Sequence, residues 1–174
     1  MKNLKSRFAH IFFLCLCFLP DTWSFAQTAN LDGNTLICTD RRIPNFPLTR
    51  TIYVSKDRIF SYDGSPNATS KVGIIYQFGR QLGGAGSGDL VYQTSAQKNN
   101  GGLVLSATVS QTCGICNGHR ITTSEQFTIK NTDTQWTAVR RYRQWFADGT
   151  RSAAPSGSEY YTCRVAPGRV GVGG

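Results

Sequence analysis

Two stretches of this chain alternate apolar and polar residues with a period of two. In the first, Leu103, Leu105, Ala107 and Val109 point one way and Val104, Ser106, Thr108 and Ser110 the other. In the second, Ile121, Thr123, Glu125, Phe127 and Ile129 share a side, with Arg120, Thr122, Ser124, Gln126, Thr128 and Lys130 opposite. That period marks half-buried antiparallel strand, one face on a core and the other in water. Pairing the two with residue 112 opposite 120 sets Leu103 against Ile129, Leu105 against Phe127 and Ala107 against Glu125. The first two pairs make core. The third brings a carboxylate to the core face, where an unpaired charge is costly, so Glu125 either lines a ligand cavity or sits near an open barrel end with an arginine partner.

Shorter runs extend the pattern. Strands are expected at Thr35 to Thr39, Arg50 to Ser55, Arg58 to Tyr62, Val72 to Gly79, Asp89 to Ser95, Gln135 to Phe146 and Ser158 to Val165. Lys56-Asp57 and Asn100-Gly101 read as tight hairpin turns. Gly83 to Gly88 reads as a flexible hairpin loop, because its glycine offsets fail the dinucleotide fingerprint and no lysine follows Gly88 as a phosphate-binding loop requires. Arg151 to Ser158 reads as a small-residue loop. About nine strands, no helix after residue 26 and short connections predict an all-β fold. An antiparallel up-and-down barrel is favoured because closure hides the edges of a meander; a two-sheet β-sandwich is the alternative.

The first residues change the picture of where the chain works. Lys2, Lys5 and Arg7 precede an apolar run from Ile11 to Leu19, and Ser24-Phe25-Ala26 supplies the small residues of a cleavage site. Residues 1–26 therefore read as a signal peptide, leaving one domain over 27–167 and a flexible Gly-rich tail over 168–174. The expected product is exported, periplasmic or secreted, with no membrane span after cleavage, since no later apolar run is long enough. Cleavage removes Lys2, Lys5, Arg7 and Asp21 and takes the formal charge from +9 to +7. A basic exported chain is biased towards anionic surfaces, glycans or nucleic acid, although charge alone fixes neither fold nor specificity.

Four cysteines remain, Cys38, Cys113, Cys116 and Cys163. Export makes disulfides the default. The first and last strands of a closed meander are neighbours, which pairs Cys38 with Cys163 and leaves Cys113 with Cys116. The Cys-Gly-Ile-Cys spacing also suggests thiol–disulfide chemistry, but a redox cysteine needs a helix N-terminus or a nearby cation, and here a β-alternating run follows. His119 and Arg120 are the only residues beside the motif able to lower a thiol pKa. One Cys-x2-Cys pair is half a zinc site, and Asn117 stands where a c-type haem needs histidine, so no metal or cofactor is expected.

No catalytic set emerges. His119 is the single histidine left after cleavage, and neither a nucleophile elbow nor a zincin motif occurs. Extended chain would hold His119 and Glu125 about 20 Å apart, too far to share a reacting phosphate as a ribonuclease pair does. The remaining unusual segment is Arg140-Arg141-Tyr142-Arg143-Gln144-Trp145-Phe146. Alternation sends Arg140, Tyr142 and Phe146 to one face and Arg141, Arg143 and Trp145 to the other. Arginine beside aromatic rings holds phosphate, sulfate or sugar groups by charge and stacking. Arg140, Arg141, Arg143 and Trp145, with Glu125, are the candidate binding residues, and an anionic glycan, nucleic acid or cell-surface component is the expected class of partner.

The pattern Thr-Ile-Tyr-Val-Ser…Arg-Ile-Phe over 51–60, with Tyr-Thr-Cys-Arg-Val over 161–165, resembles small uncharacterised secreted proteins of Gram-negative bacteria. The resemblance implies export and carries no activity and no site.

Overall fold

The computed structural model of the chain describes residues 31–40, 42, 48–63, 72–85, 89–99, 101–114, 118–132, 135–146, 148 and 151–171, with backbone alone at 72 and 151–155. The expected signal peptide lies outside them. Ten strands form one sheet: β1 (Asn34–Asp40), β2 (Leu48–Val54), β3 (Arg58–Asp63), β4 (Val72–Gln77), β5 (Leu82–Ala85), β6 (Val91–Asn99), β7 (Gly102–Thr112), β8 (Arg120–Thr132), β9 (Gln135–Phe146) and β10 (Arg151–Pro167). Their order is β4-β3-β2-β1-β10-β9-β8-β7-β6-β5, antiparallel throughout. Every strand but the β4–β5 pair is fully laddered to its neighbours in sequence, and β10 returns to β1. This is an up-and-down barrel, nearly closed.

The sheet's two edges are β4 and β5, which no ladder joins; the gap is spanned mainly towards β6, where an isolated bridge joins Phe78 to Ala96, while a second bridge joins Gln77 to Arg80. The Gly79 amide also donates to the Ala96 carbonyl at 3.4 Å, and Thr94 Oγ1 donates to the Ile75 carbonyl at 2.7 Å. β5 is a strand of four residues, Leu-Gly-Gly-Ala, with almost no side chain to pack.

The expected pairing of β7 with β8 is the one observed, from Gly102 opposite Lys130 to Thr112 opposite Arg120. Two loop expectations give way to strand. Half of the Gly-rich segment becomes β5, and the small-residue segment after Arg151 becomes the first part of β10. One device serves both. The rings of Tyr92 and Tyr142 lie over the directly opposite Gly84 and Gly157, so closely that a Cβ on either glycine would stand 2.5 or 2.6 Å from the hydroxyl oxygen. Gly73 receives Tyr62 from the facing strand in the same way, with a Cβ position 2.7 Å from the ring. Cross-strand tyrosine restores the apolar contact that glycine cannot make. Pro155 falls where the β9–β10 register shifts between Arg151 and Ser156, at a point where no ladder bond calls on its missing N–H.

Leu36, Ile52, Val54, Ile59, Leu105, Phe127 and Ile129 fill the barrel, each 2 % exposed or less. The outward positions of β6 to β9 are mostly Ser, Thr, Gln and Arg. Cys38 and Cys163 stand directly opposite one another on β1 and β10 and are joined by a disulfide that links residues 125 apart in sequence. The start of the C-terminal tail is tied to β1. Thr35 Oγ1 donates to the Gly168 carbonyl at 2.7 Å and accepts from the Val170 amide at 3.0 Å, while the Arg169 guanidinium stands over Phe60 at 5.0 Å.

Candidate functional site

Strand alternation divides the candidate residues between two places. Glu125 and Arg140 face the barrel interior; Arg141, Arg143 and Trp145 face out.

Inside, Glu125 on β8 accepts hydrogen bonds from Arg50 Nη1 at 3.0 Å and Arg140 Nε at 2.8 Å. Arg50 belongs to β2, which three strands separate from β8 in the sheet, so this ion pair crosses the interior. Each arginine then holds a second carboxylate: Arg50 Nε reaches Asp63 at 2.8 Å and Arg140 Nη1 reaches Glu159 at 3.2 Å. The Tyr161 hydroxyl donates to Glu159 at 2.7 Å and closes the chain of contacts. Beneath it, Phe127 takes the Arg50 guanidinium on its face at 4.8 Å and the ring of Tyr161 edge-on at 5.2 Å.

Arg50 and Glu125 are only 3 % and 8 % exposed, so both charges are desolvated and each depends on the other. Burial pushes the Glu125 carboxyl up, but Arg50 and Arg140 outweigh it and hold the group below the usual carboxylate range. Burial likewise opposes the charge on Arg50, and Glu125 and Asp63 more than restore it. The phenols of Tyr76 and Tyr161 are pushed up, first by burial and then by the carboxylates beside them, which keeps both protonated. Among the described residues no buried side-chain polar atom lacks a partner. A network so completely satisfied braces opposite walls of the barrel. Of its members only Glu125 and Arg140 stand out as candidates in the sequence. Arg50, Asp63 and Glu159 were missed, although each stands in phase with the apolar face of its strand, Arg50 with Ile52 and Val54 for example.

Outside, register lines up two neighbouring ladders. Gln93, Thr108, Ser124 and Arg143 face each other across β6 to β9, and Ser95, Ser106, Gln126 and Arg141 do so one step along. Between them lies a groove of about 360 Å³. Short Ser and Thr side chains make its floor, and the two arginines rise from its β9 side. Both are exposed, and among the described residues neither is in an ion pair. The Arg143 guanidinium stands 5.8 Å from the centre of the Trp145 ring, within the range of a cation–ring contact. Further along this face Arg120 is spoken for: it pairs with Asp89 at 3.0 Å and donates to Ser110 Oγ at 2.8 Å.

The cysteine loop stands at the end of the β7–β8 hairpin. Cys113 is disulfide-bonded, and its amide donates to the His119 carbonyl at 2.9 Å. Cys116 lies outside the described residues. Cys113 follows strand β7, and no helix occurs among the described residues to lower a thiol pKa. The ring of His119 packs against Phe146 at 5.7 Å and Arg120 is engaged by Asp89, so neither neighbour is directed at a sulfur by these contacts. A cavity of about 370 Å³ opens beside Cys113, lined by Val109, Gln111, Ile121, Thr123 and Gln144. Among the described residues no cluster of His, Cys, Asp or Glu is arranged to hold a metal.

Comparison with known proteins finds no matching family model, no matching curated protein and no matching solved structure. The functional reading therefore stands on the geometry of the two faces.

Proposed function

We propose that this protein is an exported, non-catalytic binding module that holds an anionic partner on the outward face of β6 to β9, with Arg141, Arg143 and Trp145 at the contact. One observation carries the reading. The outward positions of these four strands include Arg120, Lys130, Arg141 and Arg143 and not one aspartate or glutamate. The carboxylates of β8 and β10, Glu125 and Glu159, are turned inward onto Arg50 and Arg140. The fold thus neutralises the inner arginines and, among the described residues, leaves the outer pair without an ion-pair partner. Charge separated in this way attracts an anion, and a planar guanidinium grips carboxylate, sulfate or phosphate oxygens in pairs.

Retention on immobilised heparin tests the proposal. The protein should be held at low salt and released as salt rises, because each contact frees counterions. Arg141→Ala/Arg143→Ala should elute at clearly lower salt with an unchanged melting temperature, since both side chains are exposed. Retention that ignores salt, or that the double substitution leaves intact, overturns it.

A further inference from the structure

The floor of the outer groove narrows the partner. Resting on the reading of that face as an anion-binding surface, we infer that its ligand is an acidic polysaccharide, whose carboxylate or sulfate groups sit on Arg141 and Arg143 and whose hydroxyls lie along the Ser/Thr floor.

Two features of the groove point this way. The first is its chemistry. Ser106, Thr108, Ser124 and Gln126 present hydroxyl and amide groups in two adjoining ladders, and each ladder carries an arginine on β9. Hydroxyls and amides both donate and accept, which suits a ligand that is itself covered in hydroxyls. Successive ladders on one face are about 7 Å apart along the strand, so the two guanidiniums meet a chain at two points and leave the neutral floor to the stretch beside them.

The second is the lack of a platform for bases. Proteins that hold single-stranded nucleic acid stack successive bases on successive aromatic rings. The only aromatic residue at an outward position of β6 to β9 is Trp145, and Arg143 already stands across its face. On the adjoining strand β10 the exposed Tyr160 also faces out, opposite Val139, but it lies three ladders from Trp145, about 20 Å along the strands, with both arginines between them. Phosphates would find the arginines, but successive bases would find no run of adjacent rings to stack on.

The test uses the mature exported chain and four labelled probes of similar length. These are a heparin-derived sulfated oligosaccharide, an oligogalacturonate, an uncharged dextran oligomer and oligo-dT. Affinities are measured at 0.15 M salt for wild type, Arg141→Ala/Arg143→Ala and a floor variant, Thr108→Val/Ser124→Ala, which keeps every charge. One or both acidic oligosaccharides should bind at least tenfold more tightly than dextran and oligo-dT, and the tighter of the two names the acidic group. The arginine variant should lose at least tenfold. The floor variant should lose several-fold for the oligosaccharide while any residual oligo-dT binding stays unchanged. If the floor variant binds oligosaccharide like wild type, or oligo-dT binds as tightly as the sugars, the polysaccharide assignment falls and the anion-binding reading survives. If the arginine variant binds every probe like wild type, the anion-binding reading falls with it.

Discussion

Glu125→Gln is the substitution that most directly tests the brace across the barrel. The glutamate carboxylate takes three hydrogen bonds, at 3.0 and 3.4 Å from the Arg50 fork and 2.8 Å from Arg140 Nε. The amide keeps the shape but loses the charge and turns an NH2 group towards a guanidinium. Removing one partner from a buried ion pair costs about 3–5 kcal/mol, mostly because the other charge is left desolvated. Here each arginine retains a second carboxylate. Asp63, however, is 67 % exposed and screened, so it compensates Arg50 only in part. The lower figure, about 3 kcal/mol, is therefore expected, a fall of about 6–12 °C in melting temperature for a domain of this size. Acid supplies an internal control. Because the folded Glu125 carboxyl lies below its unfolded value of about 4.3, its stabilisation is complete above that pH and is lost as pH falls through the folded value. Denaturant titrations of wild type and Glu125→Gln should thus show a gap at pH 7 that narrows between pH 4.5 and pH 3. A gap below about 1 kcal/mol at pH 7, or one constant down to pH 3, would refute the account of a desolvated charge network.

Other outcomes follow from the same structure. Cys38→Ser opens a loop of 125 residues, and the chain-entropy estimate for that length is about 5 kcal/mol. Thermal melts should show it as a much larger loss than any single surface substitution. Gly102→Ala drives a Cβ into the Ile129 carbonyl oxygen, a backbone atom fixed in the β7–β8 ladder, so the strands must part locally. A loss of about 1–3 kcal/mol is expected, with faster amide exchange at the start of β7; unchanged exchange would count against the close approach. Phe127→Ala empties the centre of the core beneath Arg50 and should cost about 3–5 kcal/mol in denaturant unfolding.

The sequence by itself determined the all-β class, the β7–β8 register and the split of the basic segment into inner and outer faces. All three follow from the period of two, which any half-buried strand imposes locally. It also determined the outer disulfide, because the two ends of a closed meander must meet. What it could not decide is which distant charges share the interior. Arg50 and Glu125 are 75 residues apart and belong to opposite walls, and only the curvature that closes the barrel brings them to 3.0 Å. Their phase with apolar neighbours hinted at burial but named no partner. The glycine-rich β5 was equally hidden, since a residue without a side chain has no pattern to read; in the fold Tyr92 from the facing strand covers Gly84. The outer groove is tertiary for the same reason. Ser106, Ser124 and Arg143 become one surface only because β7, β8 and β9 lie side by side, while Glu125, on the opposite face of β8, is paired inside the barrel.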